Sequence, residues 1–349
     1  MKIAYFTYPA AFQNIGGGEV QLLKTREYVE RAGQPVHLFD LWKDRVEDFD
    51  VLHIFSSVKD CLGLAEIARK RGVRVAVSPV LWSDLRRALH TDGGVRQKTD
   101  LLVRHLLKLG APTFPSGRRR LLTTAQHLYP NSRAEKLQIA RLFAVDPAHI
   151  HVVPNGVDRR FDMADPAAYR ARYGTEPFVL GVGRIEPRKN QLNLIRALKG
   201  LGVRLVLIGD PVTGYEEYDR MCRQAGQDHV TFLPSIPHGD PLLASAYAAC
   251  EAFVLQGWFE TPGLAALEAA LAGARLAVTS GGSTREYFDD LADYLDPADT
   301  ASILRAVKAA LGRPRDGRLR THVREAYTWE RVADRQIELY GRLLTEGRR

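Results

Sequence analysis

The sequence is poor in cysteine and has no long apolar run, and both absences limit what the protein can be. Three cysteines, Cys61, Cys222 and Cys250, occur in 349 residues and are not clustered. This distribution excludes a cysteine-based zinc site and fits a reducing compartment. No apolar run approaches the ~20 residues of a membrane-spanning helix, and the N-terminal residues lack a cleavage pattern. We therefore expect a cytoplasmic protein.

Fixed-period repeats, low-complexity tracts and heptad runs are also missing, which excludes solenoids and coiled coils. The composition, 45% hydrophobic and 26% charged, is ordinary for a soluble globular protein. A length of 349 residues is more than one hydrophobic core usually serves. Two domains are therefore expected.

Acidic residues are scarce in one part of the chain. Residues 1–150 hold 23 Lys and Arg against 15 Asp and Glu, whereas residues 151–349 hold 26 of each. Within residues 86–120, two acidic residues face nine basic ones: Arg86, Arg87, Arg96, Lys98, Arg104, Lys108, Arg118, Arg119 and Arg120. Such a basic segment favours an anionic partner, either a membrane surface, a phosphorylated glycan or nucleic acid. A solvated surface is an alternative of about equal weight.

Apolar strand-like runs alternate with helical patterns, which is typical of parallel, doubly wound sheets. Strands are expected at 3–7, 36–41, 51–55, 74–78, 128–130 and 152–153, and again at 178–182, 204–208, 230–232, 252–255 and 275–278. Residues 155–174 have the composition of an interdomain linker. We expect an α/β fold of two Rossmann-like domains, at 1–155 and 156–327, that face a cleft. Residues 328–349 form a final amphipathic helix that packs back on the first domain.

Glu260 and Glu268 carry the most specific signal. Glu260 ends a loop behind the strand 252–255, and Thr261, Pro262 and Gly263 then open a helix. Glu268 lies about two turns further along, so both carboxylates lie toward one side. Free amide groups at a helix start suit a phosphate, and carboxylates accept hydrogen bonds from sugar hydroxyls. Because the helix is almost wholly apolar, buried Glu268 needs a ligand or a structural partner. This arrangement is typical of a nucleotide-sugar site.

Other strand ends carry complementary groups. Arg184 and Lys189 follow the strand 178–182 and can clamp a diphosphate, where they stabilise charge on a leaving phosphate. Backbone groups at Ile236 can hold a base. The glycines of Gly16-Gly-Gly-Glu19 follow the first strand and allow close approach of backbone N–H groups to a phosphate. A plain flexible turn explains those glycines equally well.

Together these segments resemble the retaining glycosyltransferases of the GT-B fold, family 4 (group 1). The resemblance covers nearly the whole chain. It depends on the order and spacing of these motifs: Gly16-Gly-Gly-Glu, Pro130-Asn-Ser-Arg, Val153-Pro-Asn-Gly-Val-Asp, Val182-Gly-Arg with Lys189-Asn, the two glutamates Glu260 and Glu268 with seven residues between them, Gly281-Gly-Ser-Thr-Arg-Glu-Tyr and Tyr294-Leu-Asp-Pro.

The resemblance implies a role for each matched residue. Arg184 and Lys189 hold the donor diphosphate, Glu268 binds the ribose, and Glu260 touches the donor sugar. The catalytic set is then Arg184, Lys189 and Glu260. The donor-binding set is Gly17, Gly18, Gly183, Ile236, Thr261, Pro262, Gly263, Leu264 and Glu268, with no metal and no cofactor other than the nucleoside-diphosphate sugar as co-substrate.

One departure concerns the acceptor side. Many family members carry a histidine shortly after the fourth strand, and this chain has Ser78-Pro-Val-Leu-Trp-Ser-Asp there. Trp82, Ser83 or Asp84 can take its place, with His127 and His90 less well positioned. A tryptophan offers an aromatic face to a sugar, although a core tryptophan is the more common case.

The resulting hypothesis is a metal-independent hexosyltransferase that moves a sugar from a UDP or GDP donor to a glycan or lipid-linked acceptor, with retention of anomeric configuration. Its setting is cell-surface polysaccharide, lipopolysaccharide or glycolipid biosynthesis, with peripheral contact to an anionic inner membrane face through residues 86–120. A sugar phosphorylase or an epimerase on the same fold is the main alternative. A nucleic-acid-binding protein is disfavoured because Phe114 is the single aromatic residue in the basic segment.

Overall fold

The computed structural model describes residues 1–13, 16–83, 95–261 and 263–346, with the side chains at 95–98, 101, 104, 107 and 108 left aside. The chain divides into two compact units. The first comprises residues 1–83, 102–156 and 329–349, and the second is built on residues 157–328. Each unit contains its own parallel sheet.

The first unit is built on a five-stranded parallel sheet in the order β2-β1-β3-β4-β5. Its strands are β1 (Ile3–Phe6), β2 (Val36–Leu38), β3 (Val51–Phe55), β4 (Arg74–Ser78) and β5 (His127–Leu128). The helices of the first half of the chain are α1 (Gly17–Arg31), α2 (Leu62–Lys70), α3 (Val95–Gly110), α4 (Gly117–Thr124) and α5 (Arg133–Phe143). Both neighbours of β3 pair with it in register, for example Val51 with Ile3 and with Arg74. The strand is wholly buried, as a central parallel strand should be.

The last helix, α14 (Trp329–Thr345), belongs to the first unit and packs against α1. A buried polar chain ties it to the sheet. The Tyr340 hydroxyl donates to the Tyr5 hydroxyl at 2.8 Å and lies 2.6 Å from Nδ1 of His53, whose Nε2 lies 2.9 Å from Oγ of Ser78. Burial lowers the pKa of His53 to about 3, so the imidazole stays neutral.

The second unit contains a six-stranded parallel sheet in the order β11-β10-β9-β6-β7-β8. Its strands are β6 (Phe178–Val182), β7 (Arg204–Ile208), β8 (Val230–Leu233), β9 (Ala252–Leu255), β10 (Arg275–Thr279) and β11 (Asp293–Leu295). The helices are α6 (Ala167–Tyr173), α7 (Gln191–Leu198), α8 (Glu216–Gly226), α9 (Pro241–Ala249), α10 (Leu264–Leu271), α11 (Thr284–Phe288), α12 (Thr300–Gly312) and α13 (Arg318–Ala326). Two consecutive residues of β6, Val179 and Leu180, belong to separate hydrophobic clusters on the two faces of the sheet. The sheet is therefore covered on both faces. A ligand can then bind only at the strand ends, as is usual for open parallel sheets.

The predicted α/β class with two Rossmann-like parallel-sheet domains is confirmed. Two local expectations are wrong. Residues 152–153 form no strand and follow a single bridge between Leu128 and Ile150. Residues 155–174 do not form a simple linker, because Phe161 and Tyr169 are buried in the core of the second unit. The strand β11 was not predicted, since three residues that begin with Asp293 give too short an apolar pattern.

In the described part of the chain, no helix combines the length and the apolar character needed to cross a membrane.

Candidate active site

Arg184 and Lys189 lie in the loop that follows β6, at the carboxyl edge of the second sheet. This loop contains a 3-10 turn (Pro187–Lys189) and leads into α7 through Asn190, which has a left-handed backbone. The Arg184 guanidinium lies 3.4 Å from Oε1 of Glu186 and is 37% exposed. Its exposure leaves it accessible to a ligand at the strand end.

The β6 and β7 ends approach each other very closely. A Cβ at Gly209 would lie 2.1 Å from the carbonyl oxygen of Gly183, and both glycines have positive φ, +154° and +150°. The amide of Gly183 donates to the Ile208 carbonyl at 3.0 Å. Glycine is therefore required at position 209, because any side chain there would clash with the Gly183 carbonyl. This close contact fixes the backbone from which Arg184 extends.

Lys189 and Glu260 form a buried ion pair. The Lys189 Nζ lies 2.6 Å from Oε1 of Glu260, and the two side chains are 17% and 7% exposed. Burial lowers the pKa of Lys189, and the Glu260 charge opposes this shift. Two side chains from separate strand ends are thus joined at one point of the sheet edge.

The backbone of Glu260 is held by a glycine pair after β10. Its amide donates to the Gly281 carbonyl at 3.2 Å, and its carbonyl accepts from the Ser283 amide at 2.9 Å. A Cβ at Gly282, where φ is +96°, would lie 2.0 Å from the Glu260 carbonyl oxygen. These contacts assign a role to Gly281 and Gly282 that the sequence alone left unassigned.

Further side chains cross-link the loops around this pair. Asn190 Nδ2 donates to the carbonyls of Gln256 and Pro297 at 3.3 and 2.8 Å. Gln256 Nε2 donates to the Lys189 carbonyl at 2.8 Å. Trp258 Nε1 donates to the Pro187 carbonyl at 3.2 Å. Sequence reasoning missed Gln256 and Trp258, because side-chain contacts to distant carbonyls leave no local pattern.

The helix α10 begins at Leu264, directly after its N-cap residue Gly263, whose φ is +88°. Gly263 provides no side-chain cap, and the first internal bonds run from the amides of Ala266 and Leu267 to its carbonyl. The amides of Leu264 and Ala265 precede those bonds, and amides in this position at a helix start have no acceptor within the helix. Thr261 lies just before this tip, whereas Pro262 lies outside the described residues.

Glu268 is buried on α10, and structural partners satisfy part of its hydrogen-bonding capacity. His238 Nε2 lies 2.7 Å from Oε1, and the Tyr247 hydroxyl donates to Oε2 at 3.0 Å. Burial, with the Glu268 carboxylate adding to it, raises the pKa of Tyr247. A carboxylate has about four acceptor positions, so sites remain for further donors. Ile236, two residues before His238, packs against the same core.

Gly17 and Gly18 form the first turn of α1 in the first unit. Glu19 caps this turn, accepting from the Gly16 amide at 2.8 Å and from the Tyr8 hydroxyl at 3.1 Å. A Cβ at Gly17 or Gly18 would meet nothing within 4 Å among the described residues. Packing against the described residues therefore does not require glycine at either position.

The loop after β4 carries Trp82 and Ser83 and is held by α5. Val80 has φ of +46°, and the Leu81 amide donates to Oε1 of Glu135 at 2.6 Å. Ser83 Oγ lies 2.9 Å from Nδ1 of His105. His105 is therefore a histidine near this loop that sequence reasoning missed, since it follows on α3 twenty-two positions later.

His127 is placed differently from Trp82. It begins β5, is 1% exposed, and its Nε2 lies 2.8 Å from Oε2 of Glu346. These contacts connect His127 to the segment that follows α14. Asp84 and His90 lie outside the described residues.

The basic segment 86–120 is described in part. Arg86 and Arg87 lie outside the described residues, and the side chains of Arg96, Lys98, Arg104 and Lys108 are not described either. Arg119 donates to the Phe143 carbonyl, and Arg120 pairs with Glu66. In the described residues, no group of three or more His, Cys, Asp and Glu side chains is arranged to hold a metal ion.

Two family models match the chain one after the other. The glycosyl transferase 4-like domain matches residues 5–156, and glycosyl transferases group 1 matches residues 168–326. The chain belongs to the group 1 glycosyltransferases, family 4. The resemblance found in the sequence is thereby confirmed.

Curated relatives agree with this group 1 assignment, and solved structures agree with the fold. The D-inositol 3-phosphate glycosyltransferase of Mycobacteroides abscessus is 32% identical over 246 residues, covering 66% of this chain and 55% of the relative. The chain thus spans about half the length of the curated relatives it matches. A sucrose-phosphate synthase from Thermosynechococcus elongatus has a TM-score of 0.76 at 17% identity, covering 99% of this chain and 100% of that one. Anabaena Alr3699/HepE, in complex with UDP and glucose, has a TM-score of 0.71 at 17% identity, covering 98% and 99%. At these identities the structures show the fold alone, which is that of the GT-B glycosyltransferases.

Proposed function

We propose that this group 1 glycosyltransferase transfers a hexosyl unit from a UDP or GDP sugar to a glycan or lipid-linked acceptor, with retention of anomeric configuration. The observation that supports the proposal most is the Lys189–Glu260 ion pair at the carboxyl edge of the second sheet, with Arg184 in the same loop as Lys189. Ligands of open parallel sheets bind at that edge. UDP is the first donor base to test, because solved neighbours were obtained with UDP and UDP-glucose.

The cations supply the chemistry at the leaving group. The Arg184 guanidinium can contact two phosphate oxygens at once, and Lys189 adds a compact positive charge. Both stabilise the negative charge that grows on the diphosphate as the glycosidic bond breaks. The proposal needs no metal for this step, because the chain itself provides the positive charge. The helix tip at Leu264 adds two amide donors for a phosphate.

The carboxylates orient the sugars. Glu268 accepts from ribose hydroxyls through the acceptor positions that His238 and Tyr247 leave open, and Glu260 accepts from a hydroxyl of the donor hexose. Glu260 acts as a positioning and electrostatic group, because Lys189 already holds one of its oxygens. The acceptor hydroxyl attacks the anomeric carbon from the same side as the leaving phosphate, and the leaving phosphate takes the proton of that hydroxyl. Because the new bond forms on the side of the old one, the anomeric configuration is retained.

A thermal-shift screen tests the donor assignment. UDP, GDP, ADP and their sugars are compared, and stabilisation by one diphosphate base supports the proposal. Proton NMR of the transferred sugar then reports the anomeric configuration, and turnover in excess EDTA reports metal dependence. No stabilisation by any of these nucleotides would contradict the donor assignment.

A sugar phosphorylase or epimerase is the alternative that the same site permits. Incubation of the donor with inorganic phosphate, read by chromatography, separates the reactions. Sugar 1-phosphate formation indicates a phosphorylase, and an altered sugar without transfer indicates an epimerase. Salt-sensitive RNA binding with no affinity for sugar nucleotides would favour a nucleic-acid-binding protein. We place the reaction in the cytoplasm, with residues 86–120 in contact with an anionic inner membrane face.

A further inference from the structure

An apolar groove of about 600 Å³ opens at the surface of the first unit. Its walls include Val58, Pro112, Phe114, Leu142 and Phe143. The Phe114 side chain is 68% exposed, so a large aromatic ring is left in contact with water. A groove of this volume is in the range of small-molecule sites, which are mostly apolar with a few placed polar groups. The groove can therefore hold a hydrocarbon chain.

The groove lies beside the carboxyl end of β3. Val58 follows that strand by three residues, in the loop that leads into α2. Arg118 donates from Nε to the Ser57 carbonyl at 3.0 Å, which fixes its guanidinium against this loop. The groove is thus at the strand edge where parallel sheets bind their ligands.

Two cations line the groove next to its apolar wall. Lys59 and Arg118 are both lining residues, with Asp60 as the carboxylate among them. A Cβ at Gly117 would lie 3.1 Å from the Cβ of Lys59, so the start of α4 is packed directly on the lysine and brings Arg118 near it. Burial lowers the pKa of Arg118, which marks a guanidinium partly removed from water.

We propose that this groove binds the hydrocarbon chain of a lipid-linked acceptor whose phosphate contacts Lys59 and Arg118. The proposal rests on the proposed function and names the acceptor class. A ligand without charge gives the two cations no anionic group to contact, and a bare anion leaves the apolar wall in contact with water. The surface is concave, so it accepts a single chain and not a flat bilayer. A chain that ends in phosphate matches both features.

Direct binding of simple amphiphiles tests the proposal. Decyl phosphate, decyl glucoside and inorganic phosphate are titrated by calorimetry into the full chain, below the critical micelle concentrations. We expect saturable binding of decyl phosphate, at least about tenfold tighter than that of decyl glucoside, because the charged phosphate makes charge-assisted contacts that a neutral glucoside cannot make. Inorganic phosphate alone should not saturate the site.

Variants locate the binding. Ala111→Trp fills the groove and Phe114→Ala removes part of its wall. Each variant should therefore weaken the binding of both decyl phosphate and decyl glucoside. In Arg118→Gln the affinity for decyl phosphate should fall to that for decyl glucoside. In Arg118→Lys part of the difference between the two affinities should remain. Matched controls are Leu137→Ala, an apolar side chain 69% exposed on α5, and the exposed Arg141→Gln. Neither control should change binding.

Three outcomes would overturn the proposal: equal affinity for the two amphiphiles, binding that Ala111→Trp leaves unchanged, or adsorption to phosphatidylglycerol vesicles without binding of monomeric decyl phosphate. UDP stabilisation, measured in parallel on each variant, separates this proposal from the proposed function. Loss of decyl phosphate binding with UDP binding intact assigns the effect to the groove. A wild-type chain that binds decyl phosphate but no nucleotide would defeat the proposed function alone.

Discussion

The Lys189 ammonium and the Glu260 carboxylate, 71 positions apart in the chain, meet at 2.6 Å between Nζ and Oε1. The two residues come from the ends of β6 and β9, which pair directly in the sheet. A buried cation and a buried anion compensate each other in the absence of a ligand. The contact also holds both groups at the carboxyl edge of the second sheet, where the proposed function needs them.

Replacement of Lys189 should affect both turnover and stability. In Lys189→Met the Glu260 carboxylate is left buried without its cation, which costs about 3–5 kcal/mol in comparable sites. We expect turnover to fall by about two orders of magnitude or more, as for other lost electrostatic contacts. Urea denaturation and initial rates measure the two effects.

The double variant Lys189→Met with Glu260→Gln separates these effects. It should recover much of the lost stability and none of the turnover, and the exposed Lys199→Met serves as the control. Near wild-type turnover in Lys189→Met would contradict the role of the cation.

Arg184 should be important for turnover alone. Its side chain is 37% exposed and contacts Glu186 at 3.4 Å, a pairing that contributes little to folding. Arg184→Ala should lower kcat about 100-fold or more and change the free energy of unfolding by less than about 0.5 kcal/mol. The exposed Arg196→Ala on α7 controls for charge. Equal kcat values in Arg184→Ala and Arg196→Ala would show that Arg184 does not contribute to catalysis.

Glu268 should distinguish nucleotides by their ribose. Glu268→Gln weakens UDP binding about tenfold if its carboxylate accepts from ribose hydroxyls. It should leave binding of 2′,3′-dideoxy-UDP unchanged, because that ligand offers no hydroxyl to lose. Calorimetry of both ligands on wild type, Glu268→Gln and the exposed Glu217→Gln completes the cycle. An equal loss for both ligands would assign Glu268 to folding instead of to ribose recognition.

The sequence was most informative where a strand ends in a charged or glycine-rich loop. The period-2 and apolar runs identified β3, β4, β6, β7 and β9 to the residue, since buried parallel strands are nearly continuous apolar segments. Arg184, Lys189 and Glu260 follow such strands, and topology then brings their loops to one edge. Strands with few apolar residues gave no comparable pattern, which is why β11 was missed.

Contacts between distant residues were beyond the sequence. Gly281 contacts the backbone of Glu260, and His238 contacts the Glu268 carboxylate. Neither contact is indicated by a periodic pattern or a local motif in the sequence. Phe161 and Tyr169 looked like linker residues because Pro, Asp and Arg surround them, and only packing shows that they belong to the core. Side-chain partners of this kind depend on the folded loops.

The His53 network predicts an acid-sensitive first unit. Burial lowers the pKa of His53 from an ordinary value of 6.5 to about 3. As the pH falls, His53 is therefore protonated in the unfolded chain before it is protonated in the folded protein. The free energy of unfolding should therefore fall as the pH drops from about 6.5 toward 3. His53→Gln should show a shallower fall over this window, measured by urea denaturation at several pH values. Parallel curves for the two proteins would contradict the assignment.

Tyr340→Phe removes the hydroxyl that links His53 to Tyr5. Two buried polar groups then lose a partner, which should cost about 1–3 kcal/mol per unsatisfied group. The thermal transition should move down while UDP affinity stays constant. A matched Tyr215→Phe, at a side chain 43% exposed, should show no change in stability. An unchanged transition in Tyr340→Phe would show that the network does not stabilise α14.

The most direct test of the account is the preference for a diphosphate over a monophosphate. Calorimetry compares UDP with UMP, and GDP with GMP, on wild type, Arg184→Ala and Arg196→Ala. We predict that wild type and Arg196→Ala bind one diphosphate at least about tenfold tighter than its monophosphate, and that Arg184→Ala loses this difference. An equal preference in Arg184→Ala, or no binding of either diphosphate to wild type, would contradict the account.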